Sequence, residues 1–166
     1  MEESGVPVQH EGTAVAATFS AGAPDLFGGE WDRTIDDKGR IVVPSEHRPH
    51  LAAGARVRVW AGPCIALFPL DYLKLISADL RARARDGVAA RRVHDTLWVR
   101  AVEATPDAQG RIHLPEAMRA EVGVTSEVHL VGVGTHIEMW PPERWDDVRA
   151  DGEALLMDHV NTGLGI

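Results

Sequence analysis

Cysteine is almost absent from this sequence of 166 residues, where Cys64 stands alone. One thiol rules out an intramolecular disulfide framework and any zinc cluster built on cysteines, and leaves Cys64 expected as a small buried hydrophobe. Long apolar runs are missing too. No stretch approaches the roughly 18 residues of a membrane span, and the opening MEESGVPVQH places acids where a secretory signal needs positive charge. A cytoplasmic protein without a membrane partner is expected. Nucleophile elbow, P-loop, dinucleotide fingerprint and HExxH are also lacking, so no enzyme is expected. His47 and His50 sit in HRPH with Pro49 between them and no third ligand indicated, which argues against a metal site. A hydrolase using these histidines with a nearby Asp is the weakest alternative, and no cofactor is expected.

Positive charge is scarce overall, with 17 Lys and Arg against 25 Asp and Glu, and this bears on any polyanionic partner. The imbalance lies at the ends. Residues 1–28 hold four acids and no Lys or Arg, residues 141–166 hold six acids and two Arg, and the remainder has 15 charges of each sign. A neutral body with local basic loops leaves nucleic-acid binding open without supporting it. The densest basic stretch, Arg81, Arg83, Arg85, Arg91 and Arg92, reads first as a solvated helix face and connector, with a second phosphate-contacting surface as the alternative.

Residues 1–25, rich in Gly, Ala, Ser and Pro and without sustained period, are expected to be a disordered extension. Beyond them the chain repeats itself. Thr34 to Pro44 reads TIDDKGRIVVP and Thr105 to Pro115 reads TPDAQGRIHLP. Thr34, Asp36, Gly39, Arg40, Ile41, Pro44 and Arg48 recur 71 residues later as Thr105, Asp107, Gly110, Arg111, Ile112, Pro115 and Arg119. Downstream, IALFP (65–69) answers IEMWP (137–141) at an offset of 72. In each loop Asp can cap the turn with its carboxylate, and Gly supplies the φ > 0 position. Asp36 and Asp37 are therefore turn chemistry rather than an acid–base pair, since neighbours in an extended flank face opposite ways.

Alternation predicts strands at Arg56 to Trp60 and Val128 to Val131. Leu73, Ile76 and Leu80 predict a helix after Pro69, and a segment anchored by Trp145 and Val148 follows Pro141 and Pro142. Trp31, Trp60, Trp98, Trp140 and Trp145 are dispersed along these elements, which suits core packing better than base stacking. Each half has about four short strands, too few to enclose a core, so the halves are expected to pair into one barrel.

The loops DDKGR and DAQGR, each leading into a strand that ends at Pro with an Arg four residues on, resemble the MraZ family. The opening LFGGEW (26–31) and the late VGVGTHIEMW (131–140) extend the resemblance over roughly residues 26–149. It implies a mainly β, α+β fold in which two tandem AbrB-like halves form one swapped-hairpin-like, double-split β-barrel. The halves are placed at 29–72 and 101–145, with a helical connector at 73–100 and a C-terminal helix or tail at 146–166. It also implies a nucleoid-associated transcriptional regulator, a ring-like homo-oligomer that binds direct repeats near promoters of the division and cell-wall gene cluster, and there acts as a repressor. The DNA-facing residues would be Lys38, Arg40 and Arg111, with Asp36, Gly39, Asp107 and Gly110 shaping the loops. Arginine suits bidentate bonding to guanine, and a two-stranded hairpin fits the major groove.

Three positions depart from the family pattern. Asp95 replaces a usual Arg, Gln109 stands where the first loop has Lys38, and Pro49 interrupts the expected short helix. With the acidic tails, they motivate an alternative from another class, a barrel acting as a protein-interaction or antitoxin-like module without DNA binding. Whether Arg40 and Arg111 face solvent on one surface of the assembled protein or are consumed in internal ion pairs discriminates the two.

Overall fold

The computed structural model describes residues 26–163; the expected N-terminal extension, 1–25, and the last three residues of the tail lie outside them. The first half runs β1 (Glu30–Thr34), β2 (Arg40–Val42), a 3-10 helix (Ser45–His50), β3 (Ala55–Trp60) and β4 (Cys64–Pro69). Two helices follow, α1 (Leu70–Arg83) and α2 (Val88–Val99), joined through a 3-10 turn at Ala84–Asp86. The second half repeats the order as β5 (Val102–Glu103), β6 (Arg111–His113), α3 (Glu116–Val122), β7 (Glu127–Gly132) and β8 (Ile137–Trp140), and α4 (Pro142–Asn161) closes the described chain. The 3-10 helix and α3 occupy matching places. Pro49 lies inside the first and removes a backbone donor, whereas EAMRAEV has no such break and forms an α-helix that ends at Gly123 with φ 80°.

All strand pairing is antiparallel, and it exchanges partners between the halves. Six strands form one sheet in the order β1-β7-β8-β4-β3-β5, and β2 and β6 form a separate ribbon. Thus β1 of the first half lies on β7 of the second, and β5 of the second lies on β3 of the first. At the centre equivalent residues face themselves: Ile41 opposes Ile112 in the ribbon, and Ala66 opposes Glu138 where β4 meets β8. These pairs lie at offsets of 71 and 72, so an approximate two-fold axis relating the halves passes through both.

The ladder differs from the expected closed barrel. Among the described residues the six-stranded sheet is open, with β1 and β5 as its two edges. The physical reason is the shortness of β5: its two residues pair with Val57 and Arg56, leaving little strand to carry the hydrogen-bonded surface further. The ribbon covers the sheet instead. Ile41 and Ile112 share one buried core with Val57, Ile65, Leu67, Leu130 and Met139. The opposite face of β4 presents Ala66 and Phe68 to Leu73, Ile76 and Leu97 of the helical pair, as alternation along a strand requires.

Two polar clusters fix the helices. Ser77 Oγ lies 2.9 Å from His94 Nε2 and accepts the Trp98 indole N–H at 2.8 Å, while His94 Nδ1 lies 3.2 Å from Asp95 Oδ1. Ser77 is buried, so this chain of bonds locks α1 to α2. At α4, Trp145 donates to Glu30 Oε1 at 2.5 Å and stacks on His129, whose two ring nitrogens face Glu30 and Asp32. The Trp145 bond, followed by that with His129, holds the Glu30 carboxyl below its ordinary range. Cys64 is fully buried beside Val131 and Trp140, and burial pushes its thiol far up. No described helix is long and apolar enough to cross a membrane.

Leu67 lies in the shared core and is fully buried. Leu67→Ala is expected to lower the unfolding free energy by about 2–5 kcal/mol, measured by urea titration. A loss below about 1 kcal/mol would mean that sheet and ribbon are not packed on one core.

Candidate nucleic-acid interface

Each loop is built by one carboxylate. Asp36 Oδ1 accepts the backbone N–H groups of Lys38 at 3.0 Å and Arg40 at 2.8 Å, and Oδ2 accepts Arg40 Nε at 2.8 Å. Asp107 does the same, taking the N–H groups of Gln109 and Arg111 at 2.9 Å each and Arg111 Nε at 3.0 Å. Main-chain bonds tighten the turns: Gly39 N–H donates to Asp36 O, and Gly110 N–H to Asp107 O. Both carboxyls are held below the ordinary value of 3.8, foremost by the backbone N–H of Arg40 or Arg111 and then by that residue's side chain. An Arg anchored through Nε has fewer rotamers to lose on docking.

Gly39 and Gly110 have φ of 75° and 77°, and both sit beneath an arginine from the other half. Arg119 Nη2 lies 3.0 Å from where a Cβ on Gly39 would be, and a Cβ on Gly110 would penetrate the Arg48 guanidinium. Arg48 Nε donates to Val43 O and Arg119 Nε to Leu114 O, each at 3.0 Å. The two loops are also laced directly, Leu114 N–H to Gly39 O and Val43 N–H to Gly110 O at 2.8 Å. The repeated Asp, Gly, first Arg, Ile, Pro and second Arg therefore occupy equivalent places, and Arg48 and Arg119 are clasps reaching across the axis. Their recurrence was visible in the sequence, but that each covers the opposite loop was not.

Alternation along the ribbon sets what faces out. Ile41 and Ile112 point into the core, so Arg40, Val42, Arg111 and His113 share the outer face. Arg40 opposes His113 and Val42 opposes Arg111, which spaces the two arginines by about 7 Å along the ribbon. Lys38 is exposed on the first loop. Arg33, which no motif marked, lies alongside and donates from Nε to Val42 O at 2.9 Å. The loops are not identical. Among the described residues the terminal amino groups of Arg40 have no hydrogen-bond partner, whereas Arg111 Nη2 donates to Gln109 Oε1 at 3.0 Å. Lys38 thus adds a cation to the first loop, while Gln109 occupies part of the second arginine.

His47 and His50 do not join a ligand cluster. His47 is buried against the rings of Phe27 and Trp31 with Nε2 3.1 Å from Gly28 O, and His50 is exposed at the edge of Phe27. Among the described residues no three His, Cys, Asp or Glu side chains group as metal ligands.

A duplicated α+β scaffold presenting two Asp-x-x-Gly-Arg loops on one ribbon is the class that this fold and site define. A family model described as "MraZ protein, putative antitoxin-like" matches residues 97–165. Relatives named transcriptional regulator MraZ span both halves. The protein of Parafrankia sp. is 34% identical over 133 residues, 80% of this chain and 93% of its own. That of Bifidobacterium longum is 32% identical over 83% of this chain and 92% of its own, and that of Dehalococcoides mccartyi strain 195 is 34% identical over 82% and 97%. The chain belongs to the MraZ family.

Two measurements probe the loops. Gly110→Ala is expected to destabilise more than Gly39→Ala, because strain at positive φ, about 1–2 kcal/mol in each, is joined at Gly110 by collision with Arg48; equal thermal shifts would remove the clasp. Because the folded carboxyl values are lowered, the carboxylate-bonded loop is fully formed above the unperturbed value and lost as pH falls through the folded one. The amide resonances of Arg40 and Arg111 should therefore titrate with midpoints below 3.8, and midpoints at or above it would contradict the bonding.

Proposed function

We propose that this protein is a non-enzymatic, sequence-specific DNA-binding transcriptional regulator whose reading heads are Lys38, Arg40 and Arg111. The observation that carries this reading is the placement of Arg40 and Arg111 on one outward face of a two-stranded ribbon, each steadied through Nε by its own loop aspartate. A ribbon of this width enters a major groove, and the end-on pair of Arg40 amino groups matches the O6 and N7 acceptors of guanine. Asp36, Gly39, Asp107 and Gly110 hold the loops in that form. The names of the relatives agree with a regulator.

The finer reading rests on family likeness. The halves are tandem AbrB-like units of the swapped-hairpin kind, and the protein is cytoplasmic and nucleoid-associated, acting as a ring-like homo-oligomer. Its targets are direct repeats near promoters of the division and cell-wall genes, where it represses. Oligomerisation has a physical motive: a body neutral in charge binds DNA weakly, and several heads in one assembly raise the effective concentration at successive repeats. A second reading, the protein-interaction or antitoxin-like module, draws on α4, whose acidic distal half exposes Leu155, Leu156, Met157 and Val160.

Titration of the DNA upstream of the protein's own gene separates the two. The Arg40→Ala/Arg111→Ala variant, folded and assembled, is expected to lose specific binding. Singly, Arg40→Ala should weaken it by about tenfold or more and Arg111→Ala by less, since Gln109 already engages Arg111. Affinity should fall steeply with salt. Absence of specific binding at low salt by the wild type would favour the interaction module.

A further inference from the structure

The structure holds a second concentration of positive charge that the loops do not use. Residues 81–92 contain five arginines and a single acid in a chain of net charge -8. Arg83 is consumed by Asp79, its Nε 2.6 Å from Oδ2. Arg81 at the end of α1, Arg85 on the 3-10 turn and Arg91 on the first turn of α2 instead converge on one depression of about 390 Å³, with Ala84, His94 and Asp95 completing its wall. Among the described residues none of these three arginines forms an ion pair. Like charges held close repel, yet three elements bring them together. The base beneath them is rigid: Ser77, His94 and Trp98 lock the two helices.

The ribbon and this depression belong to opposite faces of the sheet. Ile65 and Leu67 of β4 share the core of the ribbon residues Ile41 and Ile112, whereas Ala66 and Phe68 seat the helical pair. We infer that Arg81, Arg85 and Arg91, with His94 and Asp95, form a binding site for a small phosphate-bearing anion, separate from the DNA-reading loops. Three guanidinium forks supply more donors than a carboxylate can accept, but suit the several oxygens of a phosphate or diphosphate. Asp95 at the wall accepts hydrogen bonds and repels negative charge. It favours a ligand whose far end carries a donor such as a hydroxyl, which places phosphate esters and nucleotides within the class. A duplex read by the same copy's loops lies across the sheet, so the expected phosphate is that of a soluble small molecule.

Calorimetric titration of the full chain with inorganic pyrophosphate tests the site. Wild type should bind one equivalent saturably. Arg85→Gln/Arg91→Gln should bind about tenfold more weakly or not at all, and Arg81→Gln should weaken in the same direction. These side chains are exposed, so fold should survive, which circular dichroism checks. Arg40→Ala/Arg111→Ala should bind pyrophosphate as wild type does, even if its DNA titration shows the loops to be inert. Failure of wild type to saturate in the millimolar range overturns the site. Equal weakening by the loop variant overturns it as well, by placing the anion on the ribbon. Loss of specific DNA binding in the Arg81→Gln and Arg85→Gln/Arg91→Gln variants, without pyrophosphate binding in wild type, would overturn the small-anion site and make this surface part of a DNA track.

Discussion

Everything in this fold depends on the antiparallel contact of β2 with β6. Three residues from each half meet there, Ile41 on Ile112, and among the described residues neither strand has another ladder partner. The ribbon roofs the core, so its two isoleucines are buried as deeply as the sheet residues beneath them. It also fixes where the loops stand, because each Asp–Gly turn opens directly into a ribbon strand. A half without its counterpart would leave β2 without its ladder and Ile41 bare to water. Stability and loop presentation are thus a single problem, solved by association of the two halves.

The aspartates make a trade. Holding Arg40 and Arg111 through Nε orders the guanidinium before any partner arrives, but it uses one donor edge and places a negative charge beside each cation. What remains for a ligand is the pair of terminal amino groups on Arg40 and, on Arg111, the pair of which one already donates to Gln109, a narrower and better directed set of donors. At these half-exposed positions the ion pair contributes little stability by itself; its role is orientation. The body's near neutrality follows the same pattern, with charge concentrated by geometry.

Much of this was legible in the sequence, and the limits are physical. The repeat identified both turns, and its offsets of 71 and 72 correspond to the two self-opposed pairs, Ile41 with Ile112 and Ala66 with Glu138. Local periodicity found β3, β7 and α1, whose Leu73 and Ile76 are buried. Pairing between remote strands has no local signature. The exchange of β1 and β5 was therefore unreadable, and the barrel expected from strand number is an open sheet roofed by a ribbon. β5 is too short for alternation to reveal. Of α4, only the anchored part at Trp145 and Val148 carried a signal, and its distal half shows no buried residue to impose one. Arg48 and Arg119 were seen as repeated letters, but only geometry makes them clasps.

Joining the halves in one gene has a consequence that a dimer of identical halves could not have. In a true dimer any change in one loop is copied into the other, and the pair remains indifferent to which way it lies. Here the first loop has diverged to Lys38 and the second to Gln109, so the ribbon has a distinguishable front and back. A polymer laid across it meets unlike ends in a fixed order. Such a subunit has polarity, and copies arrayed along a track with the same heading match elements repeated head to tail rather than mirrored ones.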